Sequence, residues 1–473
     1  MRKPFLAALI LPLLTTACAV GPDYRPPAPP PPAMTGAFVS SARGTASSAA
    51  QDQWWRLYDD PALDRLIARA FAANTDLRVA VANLARAQAV LREAWGSRLP
   101  ATSVRGGVTY GDGMAGSGAQ AIGSDARWSI SAGLGVAWEV DLFGRIRRTI
   151  EAARTDADAE AAARDRVAVI VAAETARAYV DACALGNAEA TARQSIAIAE
   201  QGLALVEAKA RAGSAMQFDV ERSASALAQA RATLPPIVGQ RQARLFELAA
   251  LTGAPPADVP EDARTCTRPP EPIAAIPVGD GAALLPRRPD VREAERRLAA
   301  QTARIGIATA DLYPRISLGG SGNFFRSDQV KGSDMLSFSV GPMLSWSIPN
   351  IAVARARIAQ ADAGAQAAFA TFDGAVLTAL KETEQALAAY DAQQRRTDDL
   401  RDATERAKNA YALADQRYRA GAISFLDLLD SQRELVASRL ALSEAMLTLG
   451  SARIDLFKAL GGGWGSGGIA GGG

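Results

Sequence analysis

Carboxylates are the only abundant acid–base groups in this sequence: its 473 residues include 50 acidic side chains and no histidine. The usual general base and the commonest metal ligand are therefore both missing. The acidic pair that stands out is Asp427 and Asp430, three apart just past Gly421, and so on one face of a helix that begins there. Carboxylates at that spacing repel unless they bind cations, take up protons or find basic neighbours. Several copies around one axis would form an acidic ring that holds cations. A carboxylate hydrolase of the cell wall could also use acidic pairs, but these lie on long helical stretches without a cleft signal, so no enzyme is expected. Cys18, Cys183 and Cys266 are too few and too scattered for a zinc site or a disulfide scaffold. Cys183 and Cys266 are expected as buried or free thiols, and neither cofactor nor metal is expected.

The element that must position the aspartates is a helical hairpin. Gly421 falls where a helix has to stop, because glycine takes the left-handed conformation without a Cβ penalty. Ala407, Tyr411, Ala414 and Tyr418 precede it in steps of four and three, and Leu428, Leu435, Leu442 and Leu449 follow at sevens. Both arms thus carry coiled-coil seams. Gly213 repeats the device 208 residues earlier (421 − 213), with Val220, Leu227 and Leu234 behind it. At that offset Asp219 answers Asp427, but Arg222 answers Asp430, so only the second hairpin carries the double acidic step.

With 52 basic against 50 acidic residues there is no net field to attract nucleic acid, and 49% apolar against 22% charged residues excludes a disordered chain. Residues 62–98 read as helix up to Pro100. Two strands follow, 101–111 and 128–140; in the second Trp128, Ile130, Ala132, Leu134, Val136, Trp138 and Val140 alternate with small or polar residues. That alternation is long enough for a tilted transmembrane strand with one lipid face and one water face. Trp128, Trp138 and Trp346 are candidates for membrane-interface belts. From Asp141 to Ala212 an unbroken helical pattern would make a rod of about 105 Å. It turns at Gly213 and returns until Pro235 and Pro236, which should interrupt it, and residues 253–289 read as a proline-rich crossover. Arg145, Arg147 and Arg148 read as a solvated face where the rod leaves the strand.

From Leu284 the pattern repeats, with strands at 315–325 and 336–348 and a hairpin at 350–460. The expected organisation is a first repeat at 51–283, with its hairpin at 141–250, and a second at 284–460. A disordered glycine-rich tail occupies 461–473. Four amphipathic strands cannot close a barrel, and open edges in hydrocarbon cost several kcal/mol per unpaired group, so the chain must oligomerise. Two copies would give eight strands with an interior filled by side chains, and three would give twelve around a lumen, which the small Ser and Gly residues of the inward faces fit better. Segments 111–127 and 326–335 should then face outside the cell.

The N-terminus has Arg2 and Lys3, an apolar run from Phe5 to Leu14, and Thr15–Ala17 before Cys18. This reads as a signal peptide over 1–17, and the cysteine resembles that of a lipobox, making Cys18 the lipidated residue of an anchor and linker over 18–50. Val20–Pro32 contains seven prolines and should run as an extended tether, with 33–50 as loose linker.

CAVGPDY from Cys18, WEVDLFGRIRR from Trp138, LLPRRPDVREAERRLAA from Leu284 and RYRAGAISFLDLLDSQREL from Arg417 together resemble the outer-membrane factor family, TolC-like exit ducts, in its NodT-like lipoprotein branch. The resemblance covers nearly the whole chain beyond the signal peptide. It implies a membrane β-barrel joined to an α-helical barrel, with four transmembrane strands per chain and twelve in a homotrimer, on a long coiled-coil periplasmic tunnel. It implies an outer-membrane channel, sorted there by Ala19 after the cysteine, that passively conducts drugs or other small molecules. Its partners would be a periplasmic adaptor and, through it, an inner-membrane RND-type transporter. By the same resemblance Asp427 and Asp430 ring the periplasmic opening and Tyr418 with Asp219 links the tip shut. Ile423 stands where some members have a bracing arginine, so apolar contact at Ile423 and Phe425 is expected to replace salt bridges. Gly213, Ser214, Gly421, Ala422 and Ser424 are the expected adaptor-docking tips. The alternatives are an exit duct for type I protein secretion and a lipid-anchored periplasmic coiled-coil adaptor.

Overall fold

The computed structural model describes residues 19–27, 31–111, 126–327, 330, 332–346 and 351–462. The signal peptide, Cys18, most of the 111–127 loop and the tail beyond 462 lie outside them. In chain order the main elements are α1 (Pro61–Ala73), α2 (Thr75–Gly96), β1 (Ala101–Gly111), β2 (Arg127–Val140), α3 (Arg145–Arg211) and α4 (Gln217–Leu251). The second half supplies α5 (Pro289–Ala310), β3 (Arg315–Arg326), β4 (Leu336–Ser345), α6 (Ile351–Arg419) and α7 (Phe425–Ala459). The helix expected over 62–98 is two helices, because buried Asn74 turns its Oδ1 onto the N–H groups of Asp76 and Leu77 at 3.0 and 3.1 Å. That is an N-cap, and it restarts the helix.

By contacts the chain divides into two compact units: Met1–Pro27, Asn83–Glu160 and Glu293–Phe372 form one, and Ala28–Ala82, Ala161–Arg292 and Asp373–Gly473 the other. Each draws on both halves of the duplication, so the repeat boundary at 283/284 is not a boundary between folding units. The reason is strand pairing across the repeats, since β2 of the first half is bonded along its length to β3 of the second.

The first unit holds an antiparallel sheet in the order β1-β2-β3-β4. Its register places Trp138 beside Leu318 and Leu318 beside Pro342, and likewise Leu134, Gly322 and Phe338 in one row. One face is thus apolar, and Phe338 on it is 87% exposed within the single chain. The other face bonds to itself, Thr109 to Ser129 at 2.7 Å and Ser321 to Ser339 at 2.9 Å. Pro342, with no N–H for a ladder, sits in edge strand β4, where proline is tolerated. Strand β4 ends at Ser345; residues 347 and 348 of the expected 336–348 strand fall outside the described residues.

The second unit is built on the helical hairpins. Leu227, Leu428, Leu435 and Leu449 of the heptad seams are buried. Pro235 and Pro236 do not interrupt α4, which runs through them. Leu234 and Ile237 on either side pack with Leu185, Ala188 and Ala192 of α3, and that packing outweighs two missing amide bonds. The main core lies where the crossover meets the helices: Trp54, Trp55, Tyr58, Leu63, Ile67, Leu248, Leu387, Ile454 and Phe457, with Trp54 stacked on Phe457 at 4.6 Å.

Several sequence expectations are corrected in these units. Cys183 and Cys266 form a disulfide, 83 residues apart in sequence and 4.8 Å between Cα atoms; the fold brings the crossover onto α3 beside the main core. Residues 33–50 are not loose: the N–H groups of Val39 and Ser40 each donate to the Glu384 carboxylate at 2.7 Å, and Thr45–Ala46 pairs with Ile276–Pro277. Nor is Val20–Tyr24 a free tether, since Val20 N–H donates to Phe143 O at 3.2 Å and Tyr24 Oη to Glu295 at 2.9 Å. Of the three arginines expected as a solvated face, Arg148 is buried, because the N-terminal segment covers it; Arg145 and Arg147 stay partly exposed and pair with Glu139 and Asp141.

In denatured, unreduced protein, mass-tagged maleimide should leave residues 183 and 266 untouched and tag both after reduction. Tagging without reduction would contradict the pairing. Cys183→Ser should cost about 2–4 kcal/mol of stability, the usual worth of closing a long loop, read as a fall in the denaturation midpoint.

Candidate functional site: the two hairpin tips

The two hairpins turn by the same backbone device. Gly213 (φ 72°) and Gly421 (φ 74°) both lie in the left-handed region, and there is open space where a Cβ would sit on either. Gly213 N–H donates to Ala210 O at 3.0 Å and Ser214 N–H to Lys209 O at 2.9 Å; Gly421 N–H donates to Tyr418 O at 3.0 Å and Ala422 N–H to Arg417 O at 2.8 Å. These are paired Schellman closures, which satisfy the last carbonyls of α3 and α6. Gly213, Ser214, Gly421, Ala422 and Ser424 are all exposed.

The helices that leave the tips begin differently. Ser424 caps α7: its Oγ accepts from Asp427 N–H at 3.3 Å, while Asp427 Oδ2 accepts from the Ser424 N–H at 3.0 Å and its hydroxyl at 2.7 Å. That is a complete capping box. In the first hairpin Asp219 Oδ2 accepts from Met216 N–H at 3.4 Å, and methionine offers no hydroxyl in return. Asp219 and Asp427, matched by the repeat, therefore share a structural duty. The hydrogen bonds from the Ser424 hydroxyl and backbone hold the Asp427 carboxyl below the ordinary aspartate range. Asp430, one turn on, is exposed.

Tyr418 is buried with Ala414 and Leu428, and Leu205, Tyr411, Ile423 and Phe425 pack around them. Its ring stands 5.9 Å from Phe425, and Lys209 Nζ lies 3.7 Å from its centroid. Among the described residues no hydrogen bond joins Tyr418 to Asp219. The two hairpins are instead tied by Lys209 over the Tyr418 face, a cation–π contact, and by Leu205 against the apolar cluster. Sequence reasoning missed Lys209; its position as a cation in the last turn of α3 was the available signal. It also missed Met216 and Phe218, which project at 70% and 63% exposure and answer Ser424 and Leu426 in the repeat. In the sheet, Trp138 Nε1 donates to Arg98 O at 2.9 Å and Trp346 Nε1 to Leu312 O at 3.2 Å, matched bonds at one end of the strands. Trp128 packs on Tyr110 at the other end, with ring centroids 5.2 Å apart.

Comparison with known proteins gives this geometry its context. The family described as outer membrane efflux protein matches residues 66–254 and 282–462, a segment in each repeat. The chain belongs to the outer membrane efflux protein family. It is 32% identical over 437 residues to the pyoverdine export outer membrane protein OpmQ of Pseudomonas aeruginosa, covering 90% of each chain. It is 31% identical to the solvent efflux pump outer membrane protein SrpC of Pseudomonas putida, covering 96% of this chain and 97% of that one. The solved outer-membrane channel OprN matches with a TM-score of 0.86 at 34% identity, covering 94% of this chain and 100% of its own. The efflux protein is thus an outer-membrane channel component of an efflux pump, with the TolC-like combination of strands and long helices. It works with partner proteins of the pump, and its family consists of ducts.

Replacing Ser424 and Asp427 by alanine should open the first turn of α7 by removing its cap, read as faster hydrogen exchange over residues 425–429. A depressed carboxyl contributes stability that is present above the unfolded value and is lost as pH falls through the folded one. The same turn should therefore stay closed above about pH 4 and loosen below it. Equal exchange in wild type and the double variant would remove the cap from the account.

Proposed function

We propose that the protein is the homotrimeric exit duct of a tripartite pump, anchored in outer-membrane lipid through acylated Cys18. It would receive drugs or other small molecules from an inner-membrane RND-type transporter by way of a periplasmic adaptor. Relatives named for pyoverdine export and for solvent efflux support small organic cargo. In this reading Gly213, Ser214, Gly421, Ala422 and Ser424 form the docking tips, and exposed Met216 and Phe218 add the apolar contact that an adaptor hairpin would cover. The observation that carries the docking proposal is the matched pair of exposed, closely closed turns. Two tips of one geometry per chain offer a periodic ring to a symmetric partner.

The gate is assigned to Asp427, Asp430, Asp219, Tyr418 and Ile423. The packing of Ile423 and Phe425 around Tyr418 supports a tip held mainly by apolar contact, with Lys209 as its added tie. Asp427 spends Oδ2 on its own cap and would offer Oδ1 to a cation alongside Asp430. Trp128, Trp138 and Trp346 would mark the two membrane interfaces, at opposite ends of the sheet.

Gly213→Arg and Gly421→Arg, and separately Met216→Asp with Phe218→Asp, should lower drug resistance to that of cells lacking the duct while trimers and outer-membrane levels stay normal. Full resistance in all of them would rule out the tips as the docking surface. Asp427→Ala with Asp430→Ala should weaken divalent-cation block of single-channel current, and unchanged block would leave the aspartates as solvated helix residues.

A further inference from the structure

Two of the most distinctive sequence stretches, Val20–Tyr24 and Asp141–Arg148, have no part in the efflux reading, yet the structure fits one into the other. Arg148 has only 5% of its side chain exposed. Its Nε and Nη2 donate to the carbonyls of Val20 and Gly21 at 3.3 and 3.4 Å, and Nη2 also donates to Asp23 Oδ1 at 2.7 Å. The remaining bond from Nη1 goes to Glu151 at 2.8 Å. Val20 N–H meets Phe143 O and Tyr24 Oη meets Glu295, at 3.2 and 2.9 Å.

Three glycines make room for this arrangement. A Cβ on Gly144 would sit 2.6 Å from Ala19 Cβ, one on Gly21 would sit 2.5 Å from Gly306 Cα, and one on Gly306 would sit 2.8 Å from Arg148 Cγ. Gly144 and Gly21 also have φ of +79° and +88°, so at both positions shape and backbone demand glycine. Phe143, which supplies the accepting carbonyl, stacks on Tyr313 at 4.5 Å, which fixes the slot where β2 passes into α3 and α5 leads into β3.

We infer that this glycine-walled slot with Arg148 at its base is a receptor for the mature N-terminus, and that docking of residues 19–24 delivers the lipid of Cys18 to the end of the sheet where strands become helices. The inference rests on the proposed acylation for its lipid, but the docking does not. A buried guanidinium needs its acceptors, and three of these four bonds go to the N-terminal segment while Glu151 accepts the fourth. The segment is therefore held by the slot before any lipid acts. The slot sets the distance between anchor and sheet, so an acyl chain attached to a longer or undocked leader would anchor the chain without that register.

The test is hydrogen exchange of the N-terminal peptide in the full-length protein in detergent, together with palmitate incorporation. In wild type and in Cys18→Ser the Val20 amide, which donates to Phe143 O, should be protected equally. Gly306→Val, which fills the slot, and Asp23→Ala, which alters only an exposed carboxylate, should each speed exchange by about tenfold or more, the loss expected for a hydrogen bond to a charged group, with acylation and trimer yield unchanged. Free-peptide exchange in wild type, loss of protection in Cys18→Ser, or no change in either slot variant would overturn the receptor. Absence of palmitate from wild type with protection intact would instead overturn the acylation reading alone.

Discussion

A backbone N–H or C=O in hydrocarbon must find a partner, and no side chain or solvent can substitute for a missing strand. One chain of this protein supplies four antiparallel strands in sequence order, with β1 and β4 left at the edges. Their apolar face is the one that lipid would cover, and their polar face is already bonded to itself through serine and threonine. Everything else in the fold is subject to closing those edges. The duplication answers the constraint economically: each repeat provides a two-stranded hairpin, and β2 pairing with β3 joins the repeats inside the membrane unit. The two halves cannot then be separate bodies.

The helical part obeys a different rule, in which coiled-coil seams bury one stripe of each long helix and leave its ends to be satisfied. Both tips meet that need with the same closure, and they differ only after the turn. The second has Ser424 and Asp427 in reciprocal bonds, and the first has Met216, whose side chain is free to project. One tip is thus better capped and the other more apolar. The tie between them, Lys209 on Tyr418, combines a charge from one hairpin with a face from the other. Away from the tips, the crossover is fastened to α3 by the Cys183–Cys266 disulfide, and the N-terminal linker by Glu384.

What was legible in the sequence was periodic or local. The alternation from Trp128 to Val140 located a strand almost to the residue, the heptad leucines located the seams, and Gly213 and Gly421 located the turns. Missed features depend on residues far apart in the chain. Cys183 and Cys266 looked unrelated because nothing local says that residue 266 returns to α3. Arg148 looked solvated because its cover comes from residue 20. Pro235 and Pro236 looked like a break because propensity cannot weigh the packing of Leu234 and Ile237. Two signals were local: Asn74, a capping residue inside an otherwise helical run, and Lys209, a cation in the last turn of α3. At the tip, Asp427 was legible as an acidic residue in the first turn after Gly421, but its reciprocal bonding with Ser424 was not.

The account stands most directly on closure of the sheet by copies of the same chain around a conducting lumen. Purified protein should be separated into monomer and oligomer and each added to planar lipid bilayers. The account predicts stepwise, long-lived single-channel currents from the oligomer and none from the monomer. A stable oligomer that inserts without conducting, or a monomer that conducts, would contradict it.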